Sequence, residues 1–328
     1  MSSPSSPWRV ATRRSVLART QAGHVADALA AATGRPAELV PMTTSGDDHP
    51  DRAVEAFDTK GLFVDRIRGA VLSGEADLAV HSYKDLPTDP VAGLTIGAVP
   101  PRVDPRDLLV TRAGHRLAEL PRDATVGTSS ARRQAQLQKA RRDLLVQPLR
   151  GNLETRLRRV ADGELDAVVV ATAGVLRLGE QIELRLGAVP LEHGEMLHAP
   201  AQGALAVECR ADDDATIEAL AAIDDRDTAR CVTAERVFLQ MLQGGCTAPI
   251  GAHAELLGAG PGGARRMELL GMLSDPGGTR MLRASAQAAE TEPEKLAQAL
   301  ALQLLDDGGD RIVHRLLRAR QQATHGGA

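Results

Sequence analysis

The sequence predicts an α/β protein built from two similar lobes, followed by a small α+β domain. Three observations carry this. Strand and helix patterns alternate through the first two hundred residues, with apolar runs of strand length between amphipathic helical stretches. An internal echo pairs Gly74-Glu-Ala-Asp77-Leu-Ala-Val80 with Gly163-Glu-Leu-Asp166-Ala-Val-Val169, at the same place in two strand-helix-strand series. Beyond Ile250 the pattern changes to period-two alternation, the signature of antiparallel strands. The expected boundaries are 8–101 with 200–220 for lobe 1, 102–199 for lobe 2 and 221–328 for the C-terminal domain.

In chain order, a Ser/Pro-rich leader gives way to a short strand, Trp8 to Thr12. Ser15 is placed to cap a helix whose Leu17, Val25, Leu29 and Ala32 share a face and which Gly34 ends. Arg13 then sits at a strand-to-helix junction, beside exposed backbone N–H groups that favour an anion. A strand near 39–42 precedes a polar stretch, 43–59, which fits either a lid or a disordered loop. A helix over 61–73, with Leu62, Phe63, Ile67 and Val71 inward, leads to the strand Leu78 to Val80. That strand runs straight into His81-Ser-Tyr-Lys84-Asp85-Leu-Pro87, and Pro87 cannot continue it into a core.

The pattern restarts after Pro100-Pro101. Ala124 to Thr128 reads as a strand, Thr128-Ser129-Ser130 as a helix cap, and Arg132 and Arg133 fall in the first turn. Two cations there oppose the helix dipole unless an anion lies between them and the backbone. A strand over 144–149, the segment Arg150-Gly-Asn-Leu-Glu-Thr-Arg156 opening a helix that ends at Gly163, and a strand over 167–171 complete the second series. Ala199 to Cys209 begins as a loop and becomes a strand placed to return to the first lobe. A helix over 227–243 buries Cys231; Cys209, on an apolar strand, is also expected in a core. Two alternating strands around 251–257 and 266–273, a third strand, a helix over 293–305 and a final helix form the small domain.

Composition excludes several function classes. Aromatic residues make up 2% of the 328, too few to supply stacking platforms for single-stranded nucleic acid. A net charge of -4 gives no basic footprint for nucleic acid or an anionic membrane. No run approaches the roughly 18 apolar residues of a membrane span. Three cysteines without Cys-x-x-Cys spacing fit neither a disulfide scaffold nor a cysteine-ligated zinc site, so no metal is expected and a reducing, cytoplasmic compartment is. Of the 39 cations only Lys60, Lys84, Lys139 and Lys295 are lysines. An anionic ligand would therefore be held largely by arginine forks.

The candidate chemistry gathers at few positions. Asp85 beside Lys84 at a strand's carboxyl end is a candidate acid/base or charge-stabilising group, although the same pair would also suit a surface turn. Cys246, between Gly244-Gly245 and Thr247-Ala-Pro249, is presented where packing does not demand a thiol, as an attachment point or a nucleophile. With no cysteine-protease signature nearby, tethering fits better than hydrolysis. Two lobes whose helix N-termini carry arginine imply a cleft that clamps an anion from both sides.

Six motifs in this order resemble the porphobilinogen deaminase (hydroxymethylbilane synthase) family over about residues 9–255. They are Arg13-x-Ser15-x-Leu-Ala, Lys60-Gly-Leu-Phe63, Val80-His-Ser-x-Lys84-Asp85-Leu-Pro, Gly127-Thr-Ser-Ser-x-Arg132-Arg133-Gln, Leu149-Arg150-Gly-Asn and Gly244-Gly-Cys246. The resemblance implies solute-binding-protein-like lobes and a dipyrromethane cofactor on a Cys246 thioether. The implied reaction is the deamination and head-to-tail coupling of four porphobilinogen molecules onto that cofactor, then hydrolytic release of the linear tetrapyrrole. Asp85 matches the catalytic carboxylate that contacts pyrrole N–H groups and stabilises the cationic azafulvene. Lys84, Ser129, Ser130, Arg132, Arg133 and Asp85 match cofactor contacts; Arg13, Ser15, Arg150, Arg156, Arg177, Lys60, Phe63 and Gln202 match substrate contacts. A monomer is expected. Val16 stands where many relatives have Pro, Thr59 replaces a Gly, and Ala201 stands where Gly is usual, changes expected to alter loop stiffness only. The competing reading is a non-catalytic two-lobed anion-binding module, which would share the fold without needing Asp85 or Cys246. No Gly-x-x-x-x-Gly-Lys occurs, which counts against a P-loop phosphotransferase.

Overall fold

The computed structural model describes residues 6–42, 59–179, 186–242, 248–259 and 265–325. Of the expected loop over 43–59, residues 43–58 lie outside the described residues and Thr59 begins a helix; Cys246 and the side chains of Lys60, Leu62 and Phe63 also lie outside the described residues. The chain divides into two compact units, residues 1–103 with 203–229 and residues 104–202 with 230–328.

The first unit holds β1 (Trp8–Arg13), α1 (Val16–Thr33), β2 (Ala37–Met42), α2 (Thr59–Leu72), β3 (Leu78–Ser82), β4 (Leu94–Ala98), β10 (Leu205–Arg210) and α6 (Asp214–Ala221). Its sheet order is β2-β1-β3-β10-β4. β1 pairs in parallel with β2 and β3, whereas β10 runs antiparallel between β3 and β4. The strand after the second lobe therefore does return to the first, inserted one place from the sheet edge. Ser15 caps α1 by accepting from the Ala18 N–H at 3.3 Å. Gly34 ends it in the left-handed region at φ 69°, where a side chain would be strained. The buried face of α1 is Gln21, Ala22, Val25, Ala26 and Leu29; Ala32 is exposed, because the stripe turns away over the last helical turn. Ile67 and Val71 of α2 are buried as expected, with Ala11, Met42 and Ala79.

The second unit begins with β5 (Asp107–Thr111), β6 (Thr125–Gly127), α3 (Ala131–Ala140), β7 (Leu145–Gln147), α4 (Leu153–Ala161), β8 (Ala167–Ala171), α5 (Thr172–Leu178) and β9 (Gly187–Leu191). Its order, β7-β6-β8-β5-β9, repeats the pattern of the first sheet. β6 is parallel to β7 and β8, and β5 is the antiparallel insert.

The sequence echo has a physical cause. Gly74 and Gly163 both adopt positive φ, 75° and 77°, to turn a helix into a strand. Their N–H groups bond Val71 O at 3.2 Å and Val160 O at 3.1 Å. Asp77 then accepts from the Arg9 N–H in β1 at 2.9 Å, and Asp166 accepts from the Thr125 N–H in β6 at 2.7 Å. In each lobe the aspartate satisfies a backbone donor that the strand ladder leaves over.

The same unit contains α7 (Arg226–Met241) from residue 230 onward, β11 (Ile250–Ala259), β12 (Arg265–Ser274), β13 (Met281–Ala289), α8 (Pro293–Leu304) and α9 (Asp310–His325). β11, β12 and β13 form an antiparallel meander. Phe238 of α7 and Leu242 just after it, Met267, Leu269 and Leu273 of β12, and Leu296, Leu300 and Leu304 of α8 form its core, joined by Cys231. Cys209 is fully enclosed in the first unit, and burial first of all pushes its thiol up to about 11. Both cysteines are packing residues, as the apolar patterns predict.

Candidate active site

In the first unit Val10 lies beside Leu78 and Ala11 beside Ala79. The carboxyl ends of the parallel strands β1 and β3 therefore fall at one sheet edge, the place where open α/β sheets receive ligands. Arg13 ends β1, half-buried, and Ser15 opens α1 two residues later. β3 ends at Ser82, and the chain closes one 3₁₀ turn over Tyr83–Asp85. Leu86, 2% exposed, packs with Val64 and Ala206, and its N–H bonds Tyr83 O at 3.2 Å. Tyr83 N–H reaches back to Ala204 O at 3.1 Å. This buried leucine pins the turn from behind, so that Lys84 and Asp85, both half-buried, sit on a fixed backbone at the strand end.

Beneath that edge lies a buried ionic group that sequence reasoning missed. Glu208 of β10 accepts from Arg68 Nε at 2.9 Å through Oε2 and from Arg68 Nη2 at 2.7 Å through Oε1, and His81 Nε2 lies 3.0 Å from the same Oε2. Burial alone pushes the Glu208 carboxyl up, but His81 and Arg68 outweigh it and hold the group at about 2. Its signal was a glutamate at the fourth position, after three apolar residues of the strand.

The second unit has a counterpart. Arg132 and Arg133, in the first turn of α3, are 4% and 6% exposed. Asp107 of β5 accepts from Arg132 Nη1 at 2.7 Å through Oδ2, and from Arg133 Nη2 at 2.6 Å and Gln202 Nε2 at 2.8 Å through Oδ1. Arg132 Nη1 also donates to Leu197 O, and Arg133 Nη1 to Val169 O. Burial pushes Asp107 up; the two guanidiniums outweigh it and hold the carboxyl far below the usual range. Burial pushes the Arg132 guanidinium down. The chain itself thus supplies an anion, Asp107, to the two helix-terminal cations. Gln202, expected to touch substrate, is fully enclosed, and its Nε2 donates to Asp107. β5 was not read from the sequence because Asp107-Leu-Leu-Val-Thr111 is a short run between charged neighbours; an aspartate heading a strand of three branched apolar residues was its only signal.

The remaining donors of this unit lie at the carboxyl ends of β6, β7 and β8. Ser129 Oγ donates to Leu149 O at 2.8 Å and accepts from the Leu149 N–H at 2.9 Å, joining the two loops after β6 and β7. Ser130 caps α3 by accepting from the Arg133 N–H. Arg150 is exposed, and Arg156 Nε donates to Gly151 O at 2.9 Å. Arg177, in the last turn of α5, is pushed down to about 10 by burial. The predicted residues thus fall into two sets, Arg13, Ser15, Lys84 and Asp85 on one sheet edge, and Ser129, Ser130, Arg150 and Arg156 around the strand ends of the other unit.

The model of the porphobilinogen deaminase dipyromethane cofactor-binding domain matches residues 8–218. That of the porphobilinogen deaminase C-terminal domain matches residues 229–306. A porphobilinogen deaminase of Nocardia farcinica is 48% identical over 323 residues, covering 98% of this chain and 92% of its own. One from Mycobacterium leprae is 46% identical over 93% of this chain and 96% of its own. Porphobilinogen deaminase 1 of Streptomyces coelicolor is 45% identical over 90% and 92%. The two domain matches follow one another along almost the whole chain, and on that ground the chain belongs to the porphobilinogen deaminase family.

Proposed function

We propose that the chain is a hydroxymethylbilane synthase in which Asp85 is the catalytic carboxylate and Cys246 carries the cofactor. The observation that supports this most is the placement of Lys84 and Asp85 on a single 3₁₀ turn at the carboxyl end of β3, pinned by buried Leu86. A carboxylate that must follow charge on a reacting ring needs such a fixed backbone, because misplacement weakens electrostatic stabilisation steeply.

The donor chemistry fits the implied group. A dipyrromethane carries acetate and propionate side chains, and the exposed Arg150, half-buried Arg13 and Arg156, and the capping serines Ser15 and Ser130 are anion donors at strand and helix ends. When bound, the cofactor would supply the nucleophilic pyrrole carbon that takes the first porphobilinogen, each later one joining the terminal ring of the growing chain. Asp85 accepts the pyrrole N–H and stabilises the positive charge that develops on the substrate ring as ammonia leaves; Lys84 holds a neighbouring carboxylate. The Asp85 carboxylate would then assist proton loss from the coupling carbon. Arg132 and Arg133, beside their expected contact to the cofactor, keep the N-terminus of α3 in place through Asp107, and Gln202 is a positioning residue for that carboxylate.

The intact mass of the purified full-length protein, followed by peptide mapping, tests this reading. A two-pyrrole adduct on the peptide bearing Cys246 is expected. An unmodified chain that stays unmodified after incubation with porphobilinogen would leave the non-catalytic anion-binding module as the better reading.

A further inference from the structure

We propose that His193, His198 and His253 form a binding site for one divalent transition-metal ion of the zinc class. All three belong to the second unit, two in the segment after β9 and one in β11. One ring nitrogen from each lies within 4.8 Å of the others. A tetrahedral site with Zn–N bonds of about 2.0 Å spaces its ligand atoms about 3.3 Å apart. The widest gap therefore has to close by about 1.5 Å, within reach of side-chain torsions.

The outer contacts orient these rings as ligands. His198 Nδ1 lies 2.8 Å from Ala199 O, which fixes its N–H there and turns the Nε2 lone pair inward. That Nε2 lies 2.9 Å from His253 Nδ1, which donates to it in the metal-free protein; an ion taking this place shifts the His253 proton to Nε2, 4.0 Å from the Glu255 carboxylate. Imidazoles whose second nitrogen faces a carbonyl or a carboxylate are the usual arrangement around zinc. His193 stacks on His253 with ring centroids 3.8 Å apart, and its Nδ1 is buried with no hydrogen-bond partner among the described residues. A buried, unpartnered nitrogen costs stability that a metal ion would recover.

The local charge favours a cation. Glu192, Glu255 and Glu235 are the carboxylates whose charge acts on His193, with Arg106 the opposing charge. Arg106 is itself paired with Asp104 and Glu192. The Glu235 carboxylate accepts from the Ala201 N–H at 2.6 Å and the Ala254 N–H at 2.9 Å, which fixes it next to both histidine-bearing segments. A bound ion would tie the segment after β9 to β11 and stiffen this part of the unit.

Chelator-stripped full-length protein should be titrated with Zn²⁺ by calorimetry and with Co²⁺ by visible spectroscopy. The expected result is one ion per chain, d–d bands of a low-coordinate nitrogen/oxygen site, no thiolate charge-transfer band, and an affinity that falls at least about tenfold in His193→Ala. His193 is half-buried, so that variant should keep the fold, and thermal melting without metal checks this. His314→Ala, on the exposed face of α9, should bind as the parent does. Absence of stoichiometric binding, equal binding by His193→Ala, or a sulfur-to-cobalt band would overturn the proposal.

Discussion

Asp107 and Arg132 form a buried ion pair, Oδ2 to Nη1 at 2.7 Å, with side-chain exposures of 0% and 5%. Arg133 completes the group through the other carboxylate oxygen at 2.6 Å. Such a group is bound to what it neutralises, since removing one member leaves uncompensated buried charge.

Asp107→Ala should therefore destabilise the second unit by about 3–5 kcal/mol, the usual cost of breaking a buried pair. Urea unfolding at neutral pH measures it. A loss below about 1 kcal/mol would mean that the guanidiniums find another partner or water. Gln202→Ala removes one neutral donor from the same carboxylate and should cost about 1–2 kcal/mol. It should also reduce turnover less than Asp85 variants do, if Gln202 positions and does not touch substrate.

Glu208 predicts a pH dependence in the first unit. Its folded-state carboxyl is held at about 2 by His81 and Arg68 against the raising effect of burial, below an ordinary value of 4.5. A depressed carboxylate contributes stability that is fully present above the unfolded value and is lost as pH falls toward the folded one. Stability should therefore decline from about pH 5 downward, more steeply in the parent than in Glu208→Gln. The variant itself should be less stable at pH 7, because Arg68 keeps its charge without a counter-ion. Denaturant midpoints at pH 7, 5, 4 and 3 for both proteins decide this, and equal slopes would remove Glu208 as the cause.

The repeated lobes were legible because Gly74 and Gly163 turn helix into strand by backbone conformation alone, and the Gly-Glu-x-Asp spacing is a local sequence pattern even though Asp77 and Asp166 bond residues 68 and 41 positions away. The helix with its Ser15 cap and the turn at Lys84-Asp85 were legible for the same reason. The partners of Arg132 and Arg133 were not, since Asp107 lies 25 residues upstream and only the antiparallel insertion of β5 beside β8 brings it under α3. Long-range ion groups leave no periodic trace. The histidine cluster is hidden in the same way, with His253 on a strand 55 residues from His198.

Two departures from the family pattern acquire physical meaning. Val16 is the first helical residue of α1 and is 52% exposed, a position where proline is pre-organised and its missing N–H costs nothing. Val16→Pro should stabilise the first unit by about 0.4–1 kcal/mol. Ala201 adopts φ 61°, which explains why glycine is usual there. The left-handed conformation costs an alanine about 1–2 kcal/mol, and glycine's greater unfolded-state freedom returns about 0.5–1 of that. Ala201→Gly should accordingly gain about 0.5–1 kcal/mol, read as a rise in melting temperature of a few degrees. A fall in melting temperature for either variant would show that packing at Val16 or at Ala201 outweighs the backbone term.

Asp85→Asn is the sharpest test of the catalytic assignment. Asparagine keeps the size and the hydrogen-bonding reach of the side chain while removing the charge and the ability to carry a proton. With Leu86 still buried beneath the turn, the fold should be unchanged, and melting within about 1 °C of the parent would be consistent with a surface substitution of under about 0.5 kcal/mol. Turnover of porphobilinogen should fall by at least about 10² to 10⁴-fold, the range for a positioned acid/base group, and a larger loss would point to charge stabilisation as the dominant part of its role. Asp85→Glu should recover part of the rate, because the charge returns although its position shifts by one methylene. If the asparagine variant turned over normally, the carboxylate would be a surface group of a polar turn and the acid/base role would have to move to another residue on the same sheet edge.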